Sequence, residues 1–380
     1  MTTSFSSLAG AKLRVGMVLP DLRRAGAESA VVNLSRSLVQ LGVEVHLIVI
    51  GARQEYGAEL MDSGIHIHLL DLYRQTIRFY RQDLHWAIRR KLTRFFAELS
   101  LPVVHLHLFH ALVWAGPAAR RAGSLTCYTA HGLDPWLKKN DGISLWRRWL
   151  FMRAMKQAVC HLAAVSPSVA RHYAEGLSCP VEAITLLPNG LSAAGWGADP
   201  GKNSRGRKVI MAGTLYPLKR VGVGILALRE LPDAELWVAG DGPQRSELER
   251  LALMNGVADR VRFLGVRSDL PELFRAADLF WLLSEREGMP MVALEAMASA
   301  LPVVATDVPG TRDLLRNEEN SLLVALDQPQ QVVAASRRLW QDDALRQQVV
   351  AAGLATARRF TSESVAREHL ACYASLRLKL

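Results

Sequence analysis

The sequence predicts an α/β fold with two domains, each built around a parallel β-sheet. Short apolar runs without polar alternation recur along the chain, a pattern typical of strands buried on both faces. Each run leads through a turn of Gly, Pro or polar residues into a segment with helical spacing. Residues 193–207, rich in Gly, Ala, Ser and Pro, interrupt this alternation. We therefore predict domains at 1–192 and 208–359 joined by a linker at 193–207.

Length and composition agree with a soluble protein of two domains. A chain of 380 residues is long enough for two hydrophobic cores. Hydrophobic residues make up 50% and charged residues 22%, which excludes general disorder. No apolar run approaches the roughly 18 residues of a membrane span, and the N-terminus lacks the pattern of a signal peptide. The four scattered cysteines suit reduced thiols, so we expect a cytoplasmic protein.

The first domain is predicted to begin with a buried strand that leads into an amphipathic helix. That helix, Glu28–Leu41, has Ala30, Val31, Leu34 and Leu38 at helical spacing. The predicted strands are Leu13–Leu19, Val43–Ile50, His66–Leu70, Val103–Leu108 and Thr126–Ala130.

The second domain repeats the same alternation of strand and helix. Pro290 is predicted to open a helix, because its missing N–H is one that a first turn leaves unpaired. From Leu314 onward we predict only helices, the last at Ser362–Leu376. The predicted strands are Val209–Ala212, Glu235–Ala239, Arg262–Gly265, Leu279–Leu283 and Leu301–Ala305.

Histidines in the strands of the first domain raise the question of a metal site. Alternation places residues i and i+2 on the same face of a strand, as in the pair His66 and His68 and the pair His105 and His107. His110 follows just after the second pair. No cysteine or carboxylate completes a ligand set, so we predict no metal.

Two glutamates mark the strongest candidate site. Glu287 lies in the loop after a predicted strand and Glu295 lies early in the following helix, where unpaired N–H groups attract anions. Carboxylates accept hydrogen bonds from pairs of hydroxyls, so the spacing favours a sugar-like ligand with a phosphate near the helix. The alternative is a solvated loop glutamate and an exposed helix glutamate.

The motif Glu287-Gly288-Met289-Pro290, followed by Glu295, resembles the E-x7-E signature of the retaining glycosyltransferases of family 4. Met289 stands where Phe is more common. The resemblance implies a GT-B fold, with two Rossmann-like domains whose parallel sheets face an interdomain cleft. It also implies that Glu287 contacts the donor sugar and Glu295 the ribose of the nucleotide. The segment 360–380 resembles the part of the family that crosses back to the first domain.

Three further segments extend the resemblance. Gly26, before a helix, is similar to a glycine turn that approaches the donor diphosphate. His131-Gly132 resembles the loop whose histidine hydrogen-bonds the donor sugar across the cleft. Gly213 to Arg220 resembles the G-R-L-x-x-x-K-G loop, in which Lys219 would hold the diphosphate. For each segment the alternative is an ordinary turn or surface residue.

One departure from the family pattern concerns the diphosphate clamp. Thr214 occupies the position that Arg usually holds. Arg220 or Arg24 could compensate, and the sequence does not decide between them.

The resemblance implies transfer of a hexosyl or N-acetylhexosaminyl group from a nucleotide sugar with retention, and without a metal or other cofactor. A UDP-sugar is preferred over GDP-mannose only because it is more frequent in the family. The implied catalytic residues are His131, Lys219 and Glu287. The implied donor-binding residues are Gly26, Gly213, Lys219, Arg220, Glu287, Gly288, Met289, Pro290 and Glu295.

The positive charge of the chain is concentrated in its first half. Lys and Arg exceed Asp and Glu by nine in residues 1–192 and by one in the remainder. Basic residues interleaved with aromatics suit a helix on anionic lipid, although each stretch could equally be an amphipathic helix with solvated arginines. No nucleic-acid-binding motif accompanies them. The candidate membrane contacts are Arg89, Arg90, Lys91, Arg147 and Arg148.

These features together favour a lipid-linked or membrane-associated glycan as acceptor in bacterial cell-surface polysaccharide synthesis, with the protein at the inner face of the cytoplasmic membrane. A soluble acceptor is the alternative within the same class. A second class is a nucleotide-sugar-binding subunit that has lost transfer, an idea that rests on Thr214.

Overall fold

The computed structural model describes residues 12–23, 26–56, 60, 62–72, 82–158, 160–192, 196–197 and 207–377. Most of the predicted linker and Arg24 lie outside these residues. The chain divides into two units: unit 1 comprises Met1–Val165, Val169–Gly190 and Ser362–Leu380, and unit 2 comprises Ser166–Ser168 and Leu191–Thr361.

Unit 1 contains, within its described residues, a parallel sheet of seven strands in the order β3-β2-β1-β4-β5-β6-β7. Five of the six residues of β1 and of β5 are buried, as the unbroken apolar runs require. The strands are β1 (Arg14–Leu19), β2 (Glu44–Val49), β3 (His66–Leu69), β4 (Val103–His107), β5 (Leu125–Ala130), β6 (His161–Ala164) and β7 (Thr185–Leu186).

Helices connect these strands. The long helices α2 and α4 carry the basic and aromatic residues, and α3 begins directly after β4. The helices are α1 (Gly26–Gln40), α2 (Gln82–Leu99), α3 (Phe109–Arg121), α4 (Gly142–Ala158) and α5 (Pro167–Leu177).

Unit 2 contains, in the part that the structure describes, a parallel sheet of six strands in the order β10-β9-β8-β11-β12-β13. Strands β11 and β12 are buried along their whole length. The strands are β8 (Lys208–Ala212), β9 (Glu235–Ala239), β10 (Val261–Gly265), β11 (Leu279–Leu282), β12 (Val303–Thr306) and β13 (Leu322–Val324). The helices are α6 (Val221–Leu228), α7 (Arg245–Met254), α8 (Leu270–Ala276), α9 (Met291–Ala298), α10 (Pro329–Gln341) and α11 (Asp343–Arg359).

The chain then returns to unit 1 with α12 (Ser362–Arg377). Ala366 and Tyr373 of this helix are fully buried and pack with Val15, Met17 and Val31 in the core of unit 1. The last helix is therefore an integral part of that core.

The predicted α/β class with two parallel sheets is confirmed, and one prediction about its elements is wrong. The segment after Leu314 is not purely helical, because it contains β13. Asn320 Oδ1 accepts a hydrogen bond from the N–H of Arg316, and Asn320 Nδ2 donates to the carbonyl of Leu314. A side chain that takes up backbone groups in this way competes with helix formation. No helix in the described part of the chain has the length and hydropathy required to cross a bilayer.

Candidate functional site

The carboxyl ends of β8 and β11 place two candidate loops side by side in unit 2. These strands are neighbours in the sheet, with Leu279 opposite Val209. The N–H of Glu285, after β11, donates to the carbonyl of Leu218, after β8, over 2.8 Å. The loops that carry Lys219 and Glu287 are thus joined backbone to backbone.

Lys219 and Glu287 form an ion pair at this edge. Lys219 Nζ donates to Glu287 Oε1 over 2.7 Å, and the two side chains are 24% and 12% exposed. A diphosphate can replace the carboxylate at the ammonium group, while sugar hydroxyls can donate to the released carboxylate. The pair therefore brings two complementary binding groups together.

Gly310 fixes the backbone position of Glu287. Its φ is +86°, and a Cβ at this position would overlap the carbonyl oxygen of Glu287. Ser166 Oγ donates to the carbonyl of Gly288 over 2.8 Å. The need for glycine at position 310 was not predicted from the sequence, although the dipeptide Pro309-Gly310, shortly after strand β12, signals a turn.

Two further glycines, Gly213 and Gly240, allow close backbone contact beside the loop that carries Lys219. Gly213 has a φ of +141°, and its N–H donates to the carbonyl of Ala239 over 2.9 Å. A Cβ on Gly240, whose φ is +138°, would overlap the carbonyl oxygen of Gly213. The loops after β8 and β9 therefore depend on two neighbouring glycines.

Glu295 lies in α9, one turn after its N-cap residue Pro290. Burial raises the pKa of its carboxyl group to about 7. Among the described residues, no side chain or backbone group forms a hydrogen bond or ion pair with this side-chain carboxyl group. Met289, in the loop before the helix, packs against the apolar core of unit 2. An unpaired, desolvated carboxyl group is a suitable acceptor for ligand hydroxyls.

Arg220 is held by acidic side chains of unit 2. Its φ is +51°, and its Nη2 donates to Glu285 Oε2 over 3.0 Å. Its Nε lies 3.4 Å from Asp327 Oδ1. Thr214 is exposed and contributes no positive charge. That Arg220 compensates for the missing arginine stays a prediction, because it requires the guanidinium to exchange these partners for the ligand.

Gly26 and His131, the two predicted donor contacts of unit 1, lie at the ends of its strands and helices. Gly26 is the first residue of α1. His131 follows β5 directly, and burial lowers its pKa to about 4. Its Nε2 lies 3.0 Å from Nδ1 of His107, at the end of the neighbouring strand β4. Sequence reasoning weighed His107 only as a metal ligand, and the described residues contain no group of three ligating side chains that could hold a metal ion.

The basic residues of unit 1 fall into two groups. Arg89 donates through Nη2 to the carbonyl of Val113 over 2.7 Å, and Arg148 donates to the carbonyl of Leu137 over 3.1 Å. The guanidinium of Arg147 stacks on the ring of Phe109 at 5.3 Å. By contrast, Arg90 and Lys91 are exposed.

In sequence comparison, each of the two units matches a glycosyltransferase profile. The profile described as Glycosyltransferase Family 4 matches residues 24–194, and the profile described as Glycosyl transferases group 1 matches residues 196–355. The chain is 33% identical over 156 residues to the lipopolysaccharide core biosynthesis glycosyltransferase LpsD of Rhizobium meliloti, a match that covers 40% of this chain and 46% of LpsD. It is 26% identical over 265 residues to the UDP-Gal:alpha-D-GlcNAc-diphosphoundecaprenol alpha-1,3-galactosyltransferase of Escherichia coli, covering 64% of this chain and 67% of that enzyme. The matched part is thus less than half of LpsD.

Structural comparison extends over nearly the whole chain. Anabaena HepE, solved in complex with UDP and glucose, superimposes with a TM-score of 0.80 at 19% identity, covering 96% of this chain and all of HepE. The paired parallel sheets and this likeness define the class, which is the GT-B fold. Within that class, the two matching profiles identify the family, and the chain belongs to glycosyltransferase family 4.

Proposed function

We propose that the protein transfers a sugar from a nucleotide-sugar donor, with retention, to a lipid-linked or membrane-associated glycan during synthesis of bacterial cell-surface polysaccharide. One observation carries the proposal: the Lys219–Glu287 ion pair lies at a sheet edge built for close backbone approach. Such an edge brings together a cation for a diphosphate and a carboxylate for sugar hydroxyls.

The chemistry assigns a role to each group. The bond from the anomeric carbon to the diphosphate oxygen breaks, and its electron pair leaves with the diphosphate. Lys219 stabilises that charge, which is electrostatic catalysis by a preorganised group. The acceptor oxygen attacks from the same face, and its proton passes to the leaving diphosphate. Glu287 orients the sugar, Glu295 accepts from the ribose hydroxyls and His131 contacts the sugar.

A UDP-sugar is the preferred donor, with GDP-mannose as the alternative. HepE was solved with UDP and glucose, and the E. coli relative is named for UDP-Gal. The preference depends on these two proteins and on the frequency of UDP-sugars in the family.

The surface of unit 1 supports a membrane-associated acceptor at the inner face of the cytoplasmic membrane. On α4, Leu145, Trp149 and Met152 are 43%, 54% and 45% exposed and lie at helical spacing. The guanidinium of Arg153 covers the ring of Trp149 at 5.3 Å. An exposed apolar stripe with adjacent arginines suits the interface of an anionic bilayer, at about 1 kcal/mol for each well-placed charge.

The charges available for this contact differ from those expected from the sequence. Arg90 and Lys91 are exposed and remain candidates. Carbonyl groups or an aromatic ring of unit 1 already bind the other three candidates, Arg89, Arg147 and Arg148. The first role of these three arginines is therefore structural. The E. coli relative is named for an acceptor linked to diphosphoundecaprenol, which agrees with a lipid-linked acceptor.

The test is nucleotide release by the purified protein from UDP-, GDP- and ADP-sugars, with and without membrane lipid extract. We expect release from one donor, dependent on the extract, and a loss of about 10²-fold or more in Lys219→Ala. Arg338→Ala is the matched control, because Arg338 forms an exposed ion pair with Glu318 at 2.7 Å elsewhere in unit 2. Release that is equal in Lys219→Ala and wild type would refute the assigned site.

A nucleotide-sugar-binding subunit without transfer is the second candidate, because Thr214 leaves the diphosphate clamp without its usual arginine. In that case a donor would raise the melting temperature while no nucleotide is released under any condition. Extract-dependent release from one donor excludes this candidate.

A further inference from the structure

Four buried or partly buried histidines lie together in unit 1. His105 and His107 belong to β4, His131 follows β5, and His369 belongs to α12. The rings of His105 and His107 are 4.1 Å apart, and those of His107 and His131 are 5.2 Å apart. Only His131 has an assigned role, so the others raise the question of what they do for it.

Two of these histidines, His105 and His369, have hydrogen-bond partners other than His131. His105 Nδ1 lies 2.7 Å from the hydroxyl of Tyr373, and His105 Nε2 lies 2.7 Å from Oγ1 of Thr129. His369 Nδ1 lies 2.9 Å from the carbonyl of Val365, which can only accept. His369 therefore carries its proton on Nδ1.

His107 and His131 depend on each other. Nδ1 of His107 and Nε2 of His131 are 3.0 Å apart, while Nε2 of His107 and Nδ1 of His131 are buried without a hydrogen-bond partner among the described residues. Burial lowers the pKa of both imidazoles, to about 4 for His131, so both rings are neutral at pH 7. A single hydrogen lies between them, and the tautomer of one ring fixes the tautomer of the other.

The position of the unpaired atoms decides the direction of this bond. If His131 donates, the unpaired N–H belongs to Nε2 of His107, a residue that is only 1% exposed. If His107 donates, the unpaired N–H belongs to Nδ1 of His131, an atom that is also buried but that belongs to a partly exposed loop residue and not to a strand of the core. Unpaired N–H groups deep in a core are rarer than unpaired acceptors. The second arrangement is therefore favoured.

We propose that His107 is a positioning residue, which donates its Nδ1–H to Nε2 of His131 and so makes His131 present an N–H at Nδ1 to an oxygen of the sugar substrate. In this arrangement His131 is a neutral hydrogen-bond donor and not a base. The identity of the substrate rests on the proposed function, whereas the tautomer does not.

Unit 1 contains a matched pair that serves as the reference. Nδ1 of His46 and Nε2 of His68 are also 3.0 Å apart, but Nε2 of His46 lies 2.9 Å from the carboxylate of Glu44. The carboxylate can only accept, so neutral His46 carries its proton on Nε2 and His68 donates to it. In this pair a carboxylate sets the tautomer, whereas in the other the burial of His107 does.

The decisive measurement is the tautomer of His131 by long-range ¹H–¹⁵N correlation on ¹⁵N-histidine-labelled protein without donor, with the signal assigned by its loss in His131→Gln. We expect the Nδ1–H tautomer in the wild type and in His107→Asn, whose amide can replace the donor, and the Nε2–H tautomer in His107→Phe. His68→Phe should leave His131 unchanged. An Nε2–H tautomer in the wild type overturns the proposal, and so does a tautomer that is unchanged in His107→Phe.

Turnover supplies a second readout. We expect kcat/KM for nucleotide release to fall about five- to tenfold in His107→Phe, the effect of one hydrogen bond, and to recover in His107→Asn. Equal losses in both variants would contradict positioning and indicate a packing role. Absence of turnover in the wild type would count against the proposed function alone, because the tautomer is measured without substrate.

Discussion

The carboxyl ends of the two sheets differ in charge although both sheets are parallel. In unit 2 this edge carries the ion pair of Lys219 and Glu287 and the unpaired carboxyl group of Glu295. In unit 1 the corresponding edge carries His107 and His131, whose pKa values burial lowers. The same strand arrangement therefore supports ionic binding in one unit and neutral hydrogen bonding in the other.

Access to the polar groups accounts for the difference. Lys219 and Glu287 lie in loops held by glycines, and part of each side chain stays exposed. Their charges therefore remain partly solvated and are paired with each other. His105 and His107 point into a core that includes a hydroxyl from α12, where an imidazolium would lose hydration without a counter-charge. Ionisation at these edges thus follows from burial more than from residue type.

The largest expected effect tests the glycine that supports the charged edge. Gly310→Ala should destabilise the protein by about 3 kcal/mol, because a positive φ costs about 1 kcal/mol and the new methyl group must displace the backbone of Glu287, at about 1–3 kcal/mol more. The free energy of unfolding in urea measures this. Gly256→Ala is the control, since Gly256 has a φ of +66° with no described heavy atom within 4 Å of a Cβ. Equal losses in the two variants would show that the contact with Glu287 is unimportant.

The second prediction concerns the sign of the pH dependence in unit 2. The folded-state pKa of Glu295 is raised from 4.5 to about 7, so the folded state binds the extra proton and stability falls as the pH rises from about 4.5 to 7. At roughly 1.4 kcal/mol per pKa unit, this loss is about 3 kcal/mol at most. In Glu295→Gln, urea titrations from pH 5 to 8 should lack this decline. An identical decline in the variant would contradict the assignment.

The third and smallest effect has the opposite sign and belongs to unit 1. The pKa of His131 is lowered from 6.5 to about 4, so the unfolded state binds the extra proton and stability falls as the pH drops from about 6.5 to 4. His131→Gln should reduce this acid loss by about 2 kcal/mol over the measured range and not abolish it, because His105, His107 and His369 must still be protonated on unfolding. Urea titrations between pH 4.5 and 7 provide the measurement. A steeper acid loss in the variant would refute the neutral state of His131.

The alternation of apolar runs and turns was enough to predict the fold class, because strands buried on both faces need unbroken hydrophobic sequences. Strand β9 covers the predicted range Glu235–Ala239. Strand β13 was missed because it has three residues and follows a turn in which Asn320 replaces backbone hydrogen bonds. So short an element gains its stability from pairing with β12, which no local pattern reveals.

At the candidate site, the resemblance to the family indicated Lys219, Glu287 and Glu295 as binding groups but not their contacts. The ion pair depends on the adjacency of β8 and β11, whose strands are separated by about 70 positions in the chain. The pairing of His107 with His131 likewise requires β4 beside β5, and the need for glycine at position 310 requires the loop of Glu287 beside it. These relations arise from strand order, which is a tertiary property.

Helix α12 has a consequence for the order of events during synthesis. The ribosome has synthesised all residues of unit 2 once it has added Thr361. At that point the core of unit 1 still lacks Ala366 and Tyr373, and His105 still lacks the Tyr373 hydroxyl as its partner. Domains usually fold from the N-terminus onward as the chain emerges from the ribosome. Here the unit that begins first is the last to acquire its complete core, so a nascent chain spends the whole translation of unit 2 with its histidine cluster unfinished.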